Sequence, residues 1–394
     1  MAGNRFEDSQ RRLFRGNTTT HLRRQRRAPV QPETTVKLKI PVHNPIPSPI
    51  PKREGEGEGK NLIQGTIAMT KPTRSLVVIF FAFSLYSQSF SIASAQTKVI
   101  VGLSTLNSRV SPLWIAQEKG FFAKQGLDVL LVLTRLSQPA IAGLLAGELQ
   151  MVYGGSNTSL GAAASGAELK ILAMMSNKLT YELIARPGIN KSEDLRGKRF
   201  GTGGIGGSLW MGALLGLEHL GLDATRDNIS LMIVGDQTNN AVALEAGNID
   251  VTTLDGVYTH RLKQKGFKVI AEFGKANIPF PGQGIVVSRA FLQKQGNIVE
   301  SFLKGLVEGI QFSLAPANKA AVIKTMTARL RIPDPASAEV GYQDIIAGVE
   351  ARPLPSVEAL RNVQRLMKVQ NPKVGSLKVE ELIDDRIMRK LLGS

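Results

Sequence analysis

From residue 96 onward, short apolar runs alternate with longer stretches in which apolar side chains recur at helical spacing. Residues 99–103, 129–133, 151–153, 169–174 and 181–185 are apolar and rich in β-branched side chains, which predicts strands. Arg186-Pro187-Gly188 breaks this first unit. A short capped helix follows at 192–195, then strands at 199–201, 229–234, 249–253 and 269–273, with helices at 208–220 and 239–246 between them. Helices separating strands imply crossover connections and largely parallel sheets. Ala142 to Leu149, a helix ending on Ala146-Gly147 with a strand at once behind it, resembles Ala243 to Asp250, which ends on Ala246-Gly247 in the same way. Two similar α/β lobes therefore lie in series.

Past residue 284 the pattern changes. Residues 285–288 predict a strand returning to the first lobe, and beyond Phe291 the chain is helical, with a stripe at Val299, Phe302, Leu303, Leu306 and Ile310 and similar patterns at 357–367 and 382–392. The expected fold class is α/β and bilobal. Residues 96–184 begin lobe 1, 185–285 form lobe 2, and 286–394 complete lobe 1. Two crossings, at 183–186 and 284–288, form the hinge of a clamp.

The first 95 residues carry no such pattern. Residues 1–68 hold 13 Lys/Arg against 6 Asp/Glu, a Pro-rich run and a Glu-Gly repeat, which predicts a disordered basic extension. Met69 opens a different segment: Lys71 and Arg74, the apolar run 76–86, and small residues ending in Ala93-Ser94-Ala95 predict a signal peptide over 69–95, cleaved after Ala95. Met69 is then the expected start, and the mature protein is expected in the periplasm. The formal charge of +17 shrinks to +8 beyond residue 95, with no basic stripe interleaved with aromatics, so no nucleic-acid partner is expected. With no cysteine in 394 residues, disulfides, thiolate nucleophiles and cysteine-bound metals are excluded.

The stretch 104–125 organises the candidate chemistry. A strand ends in the polar loop Ser104 to Arg109, and Pro112 opens a helix in the first turn, where its missing N–H costs nothing. Open α/β sheets bind ligands at such strand-to-helix loops. Further loops of this kind carry Ser137-Gln138, Gly155-Ser156-Asn157, Gly207-Ser208, Asp236 and Asp255-Gly256. Ser, Asn and Asp at these positions either cap the following helix or turn toward a ligand. Gly201 to Gly206 matches G-x-G-x-x-G, but no acidic residue ends a second strand at the required distance, so the glycines are read as bringing backbone N–H groups and Ser208 to a ligand. Trp210 either packs in the lobe core or faces the cleft, and the core is the expected place. Arg109 and Arg135 lie at the predicted rim, where an anion would find them.

The run P-x-x-x-A-x-E-K-G-F-F-x-x-x-G-L-D-V, from Pro112 to Val129, is similar to the opening of periplasmic substrate-binding proteins of the nitrate/sulfonate/taurine ABC importer family. The resemblance continues through Ala146-Gly147-Glu148, Asp194-Leu195-Arg196-Gly197-Lys198, Gly207-Ser208 and Ala246 to Asp250, and covers roughly residues 97 to 390. It implies a monomeric clamp that takes a small anion or sulfonate-like solute to a membrane permease. It also implies ligand contacts at Leu106, Asn107, Ser137, Gln138, Ser156 and Asn157, beside Gly207, Ser208 and Asp255. Arg109, Arg135, Trp210 and Asp236 form a second tier. No catalytic group, metal or cofactor is expected. A ligand sensor for a membrane receptor would use the same fold. So would an enzyme acting on a pyrimidine-like substrate, although the thiamine-pyrimidine relatives use a cysteine-rich motif that this chain lacks.

Overall fold

The computed structural model describes residues 96–394, so the expected basic extension and signal peptide lie outside the described residues. Among the described residues, ten strands form two sheets of five. Strands β1 (Thr97–Leu103), β2 (Leu127–Leu133), β3 (Met151–Gly155) and β4 (Leu169–Met174) build the first with β10 (Gln283–Ser288), in the order β2-β1-β3-β10-β4. The second holds β5 (Glu182–Ala185), β6 (Arg199–Thr202), β7 (Ser230–Ile233), β8 (Val251–Leu254) and β9 (Lys268–Glu272), in the order β7-β6-β8-β5-β9. Each sheet is parallel except for one inner strand: β10 runs against β3 and β4, and β5 against β8 and β9. The expected bilobal α/β architecture is therefore the one observed.

Helices α1 (Ser111–Glu118), α2 (Phe121–Lys124), α3 (Ser137–Leu145) and α4 (Thr158–Ala164) connect the strands of the first lobe. Helices α5 (Ser208–His219), α6 (Gln237–Glu245) and α7 (Gly256–Lys263) serve the second. After β10 the chain is helical as expected: α8 (Arg289–Lys294), α9 (Gly296–Leu314), α10 (Lys319–Leu330), α11 (Pro335–Gly348), α12 (Val357–Gln370), α13 (Pro372–Gly375) and α14 (Arg386–Leu392). Pro112 sits in the first turn of α1, and Leu113, Ile115 and Ala116 are wholly buried behind it. Against that face lies α9, whose buried stripe is the predicted set Val299, Phe302, Leu303, Leu306 and Ile310. Phe302 stacks on Phe122 with ring centroids 5.0 Å apart. Gly309 makes the approach possible, since a Cβ there would stand 3.0 Å from Ala116 Cβ and closer still to the carbonyl of Pro112.

The lobe crossings differ from expectation. Residues 182–185 form a strand of the second sheet and 283–288 a strand of the first, so the chain crosses a few residues earlier in each case, over 175–181 and 273–282. The physical reason is burial. Leu183, Ile184 and Ala185 are apolar because they sit inside a sheet, whereas the true first crossing carries the polar run Ser176-Asn177-Lys178. The two crossings lie side by side in an antiparallel ladder. Leu179 N–H donates to Ile278 O at 2.9 Å, and Phe280 N–H donates to Asn177 O at 3.0 Å.

Candidate functional site

The carboxyl ends of strands from both sheets face one another, and the loops leaving them enclose a cavity of about 60 Å³. That is room for roughly four to six waters, or one small solute. From the first lobe, β1 delivers Ser104, Thr105 and Leu106; β2 delivers Arg135; and the first turn of α3 delivers Ser137 and Gln138. Opposite them stand Gly207 and Ser208 where α5 begins, Asp236 and Gln237 where α6 begins, and Tyr258 of α7. Seven residues singled out from the sequence thus meet around one space: Leu106, Arg135, Ser137, Gln138, Gly207, Ser208 and Asp236.

Their hydrogen bonds show what each is free to do. Ser137 does not cap its own helix; its hydroxyl accepts from Gly155 N–H at 3.2 Å and donates to Ser104 Oγ at 3.2 Å. Gln138 reaches across the cleft, donating to Ile205 O at 3.2 Å. It fits because Gly204 and Gly207 have no side chains: a Cβ on Gly204 would stand 3.0 Å from the Gln138 amide nitrogen. Asp236 does cap α6, accepting from Asn239 N–H at 2.9 Å, and it also pairs with Arg135 of the opposite lobe at 2.9 Å. Arg135 holds this position with a left-handed φ of 65°, a conformation that costs a non-glycine residue about 1 kcal/mol or more.

Six residues do not line the cavity. Ser156 is fully buried, with no hydrogen-bond partner for its hydroxyl. Asn157 turns from its own helix to the other lobe, donating to Gly206 O at 2.5 Å and accepting from Ser208 Oγ at 3.1 Å. Trp210 packs in the apolar core, the expected alternative, with its indole N–H unpartnered. Asn107, Arg109 and Asp255 join one another instead: Asn107 Nδ2 donates to Asp255 at 2.7 Å, and Arg109 pairs with the same carboxylate. For Asn107, Arg109, Asn157 and Asp255 the cause is the same. An amide, guanidinium or carboxylate at the edge of one lobe finds its complement on the facing lobe before it reaches the cavity.

Tyr181, Gln237, Tyr258 and Gln283 line the cavity without having been singled out. Tyr181 and Gln283 flank the crossings, so a correct placing of the crossings would have pointed to them. Burial, with Asp255 nearby, pushes the Tyr181 phenol well above its usual range, and burial likewise raises Tyr258. Both are therefore neutral hydroxyls at physiological pH, and that of Tyr258 donates across the cleft to Leu106 O at 3.3 Å. Among the described residues, no group of three or more His, Asp and Glu is placed to hold a metal ion.

The family model described as NMT1/THI5 like matches residues 107–320. YtlA of Bacillus subtilis (strain 168), whose name carries the words binding protein, is 26% identical over 241 residues, covering 60% of this chain and 71% of YtlA. Among solved structures, the periplasmic aliphatic sulphonate binding protein SsuA from Escherichia coli superposes with a TM-score of 0.59 at 17% identity, covering 73% of this chain and 92% of SsuA. The periplasmic nitrate-binding protein NrtA from Synechocystis PCC 6803 superposes with a TM-score of 0.60 at 14% identity, covering 76% of this chain and 89% of NrtA. At these identities the likeness shows a shared fold, that of periplasmic binding proteins, which is the fold expected from residues 112–129. With the family match spanning more than half of its residues, the chain belongs to the NMT1/THI5-like family.

Proposed function

We propose that the protein is the extracytoplasmic solute-binding component of an ABC importer, closing on a small anion or sulfonate-like solute and delivering it to the permease. The observation that carries this reading is that helices α3 and α5 begin on opposite walls of one cavity, each with a serine in its first turn. Helix N-termini favour negative charge through their unpaired N–H groups and dipole. The phenol of Tyr181 adds a neutral donor, while Leu106, Leu136 and Leu209 offer apolar wall to an aliphatic portion. Arg135 is already balanced by Asp236, so a bound anion brings the one unmatched charge and the helix ends answer it. No bond need be made or broken. Binding is differential: donors from both lobes converge only in the closed form.

Melting of the full chain against sulfonates, nitrate, bicarbonate, pyrimidines and aromatic acids tests this. A solute at about 100 times its Kd adds about 2.7 kcal/mol, a rise of several degrees. A saturable rise with a small anion is the expected result. A response confined to uncharged or nucleotide solutes would overturn it.

A further inference from the structure

Beside the cavity the two lobes are joined by a buried polar cluster in which Asn107, Arg109 and Asp255 lie outside the cavity lining and only Gln237 borders it. Arg109, on the 3-10 turn Ser108–Val110 of the first lobe, is 2% exposed, and its partner Asp255, where β8 ends in the second lobe, is 1% exposed. Asn107 reaches the other carboxylate oxygen from the first lobe. Gln237 grips Asp255 from within the second, its amide nitrogen donating to the carboxylate and its oxygen accepting the Asp255 backbone N–H at 2.7 Å. The turn itself is fixed to β3, since the Tyr153 hydroxyl donates to the Arg109 carbonyl at 2.8 Å. Gly348 of α11 closes over the arginine stem, leaving no room for a Cβ, which would stand 2.9 Å from Arg109 Cδ.

Stability does not explain this arrangement. Arg109 Nε and Asn107 Oδ1 are buried without partners, and an incompletely satisfied ion pair of this kind contributes no more than apolar side chains of similar size. What a charge pair does, and an apolar patch does not, is return to water at little cost when the two walls separate. Arg109 belongs to the wall that carries β1 and Asp255 to the wall that carries β8, so parting the sheets at the cleft rehydrates both.

We infer that Arg109 and Asp255 form a closure latch that sets the fraction of molecules already closed before any solute arrives. The inference rests on the proposed clamp only in requiring that the lobes part. The latch stabilises the empty and the filled closed forms alike. Loosening it therefore lowers apparent solute affinity by whatever factor the closed population falls, without removing a single solute contact.

The test needs no solute. The cysteine-free chain accepts a pair of engineered labels, and Leu145→Cys on α3 with Val242→Cys on α6 places spin labels on exposed sites, one in each lobe. Pulsed dipolar spectroscopy on the full chain then reads the interlobe distance. The unaltered chain is expected to show a dominant short distance. Arg109→Met with Asp255→Asn, which removes both charges so that neither is stranded, is expected to add a dominant longer one. Arg199→Met, which breaks a pair inside the second lobe, is expected to leave the distance unchanged. A folded double variant with the original distance overturns the latch, as does an unaltered chain that is already mainly open. Should the double variant fail to melt cooperatively, Arg109→Lys decides: it keeps the buried positive charge but loses the guanidinium that reaches Asp255, so a longer distance is expected, and an unchanged distance there also overturns the proposal. A silent solute panel would count against the proposed ligand class and leave these distances as they are.

Discussion

Asp344 is the residue at which pH should act most directly. Burial pushes its carboxyl up to about 7; Arg109 pulls it partly back, and Asp255 and Glu182 push it up again. The unfolded carboxyl titrates near 3.8, so between about pH 4 and 7 the native state keeps a proton that the unfolded chain has lost. Its contribution to stability is complete below about pH 4 and declines toward pH 7, with a slope approaching 1.4 kcal/mol per pH unit. Asp250 works in the opposite sense. Hydrogen bonds from Arg199 hold it at about 2, so its contribution is lost as pH falls from about 4 toward 2. Melting recorded against pH should show both limbs, and Asp344→Asn should flatten the upper one alone. An upper limb that survives the substitution would assign it to another group. None of this was legible in the sequence, where Asp344 is one acid on a polar helix face; its environment exists only once α11 meets the turn at Ser108 and the glycine at 256.

At the scale of elements the sequence was far more informative, because burial imposes a period that tertiary context does not hide. All ten strands fall where apolar runs placed them, and the α9 stripe is the predicted one. The lobe crossings were misplaced for the same reason: an apolar run before Arg186-Pro187-Gly188 looks alike whether it ends one sheet or starts the next. The loops around the cavity were legible from the order of strand and helix, but which side chains face the cavity was not. Asn157 and Asp255 turn across the cleft, and that choice depends on the docking of two lobes. Contact between α1 and α9 offers a test at this scale. Gly309→Val would force the helices apart, and overpacking of this kind costs about 1 to 3 kcal/mol. The melting temperature should fall by several degrees while any solute-induced shift persists. A variant that melts like the parent would show that α9 accommodates the added bulk.

On the scale of the whole molecule, the two sheets repeat one plan, each with four parallel strands and one reversed strand in the same place. The reversed strand is in each case the one that directly follows a crossing, so the hinge and the sheet order are one feature seen twice. The second sheet is built from the unbroken span 182–272. The first is not, for β10 lies between β3 and β4 and joins the sheet only after the chain has passed through the other lobe. Order of assembly follows. A chain emerging from its amino end can finish the later lobe while the earlier one still has a gap through its middle, with Ile171 and Val152 facing water where Val286 will stand. Pulse-labelled hydrogen exchange during refolding should therefore protect the amides of β6 and β8 before those of β3 and β4, and simultaneous protection would mean that the two lobes fold as one unit.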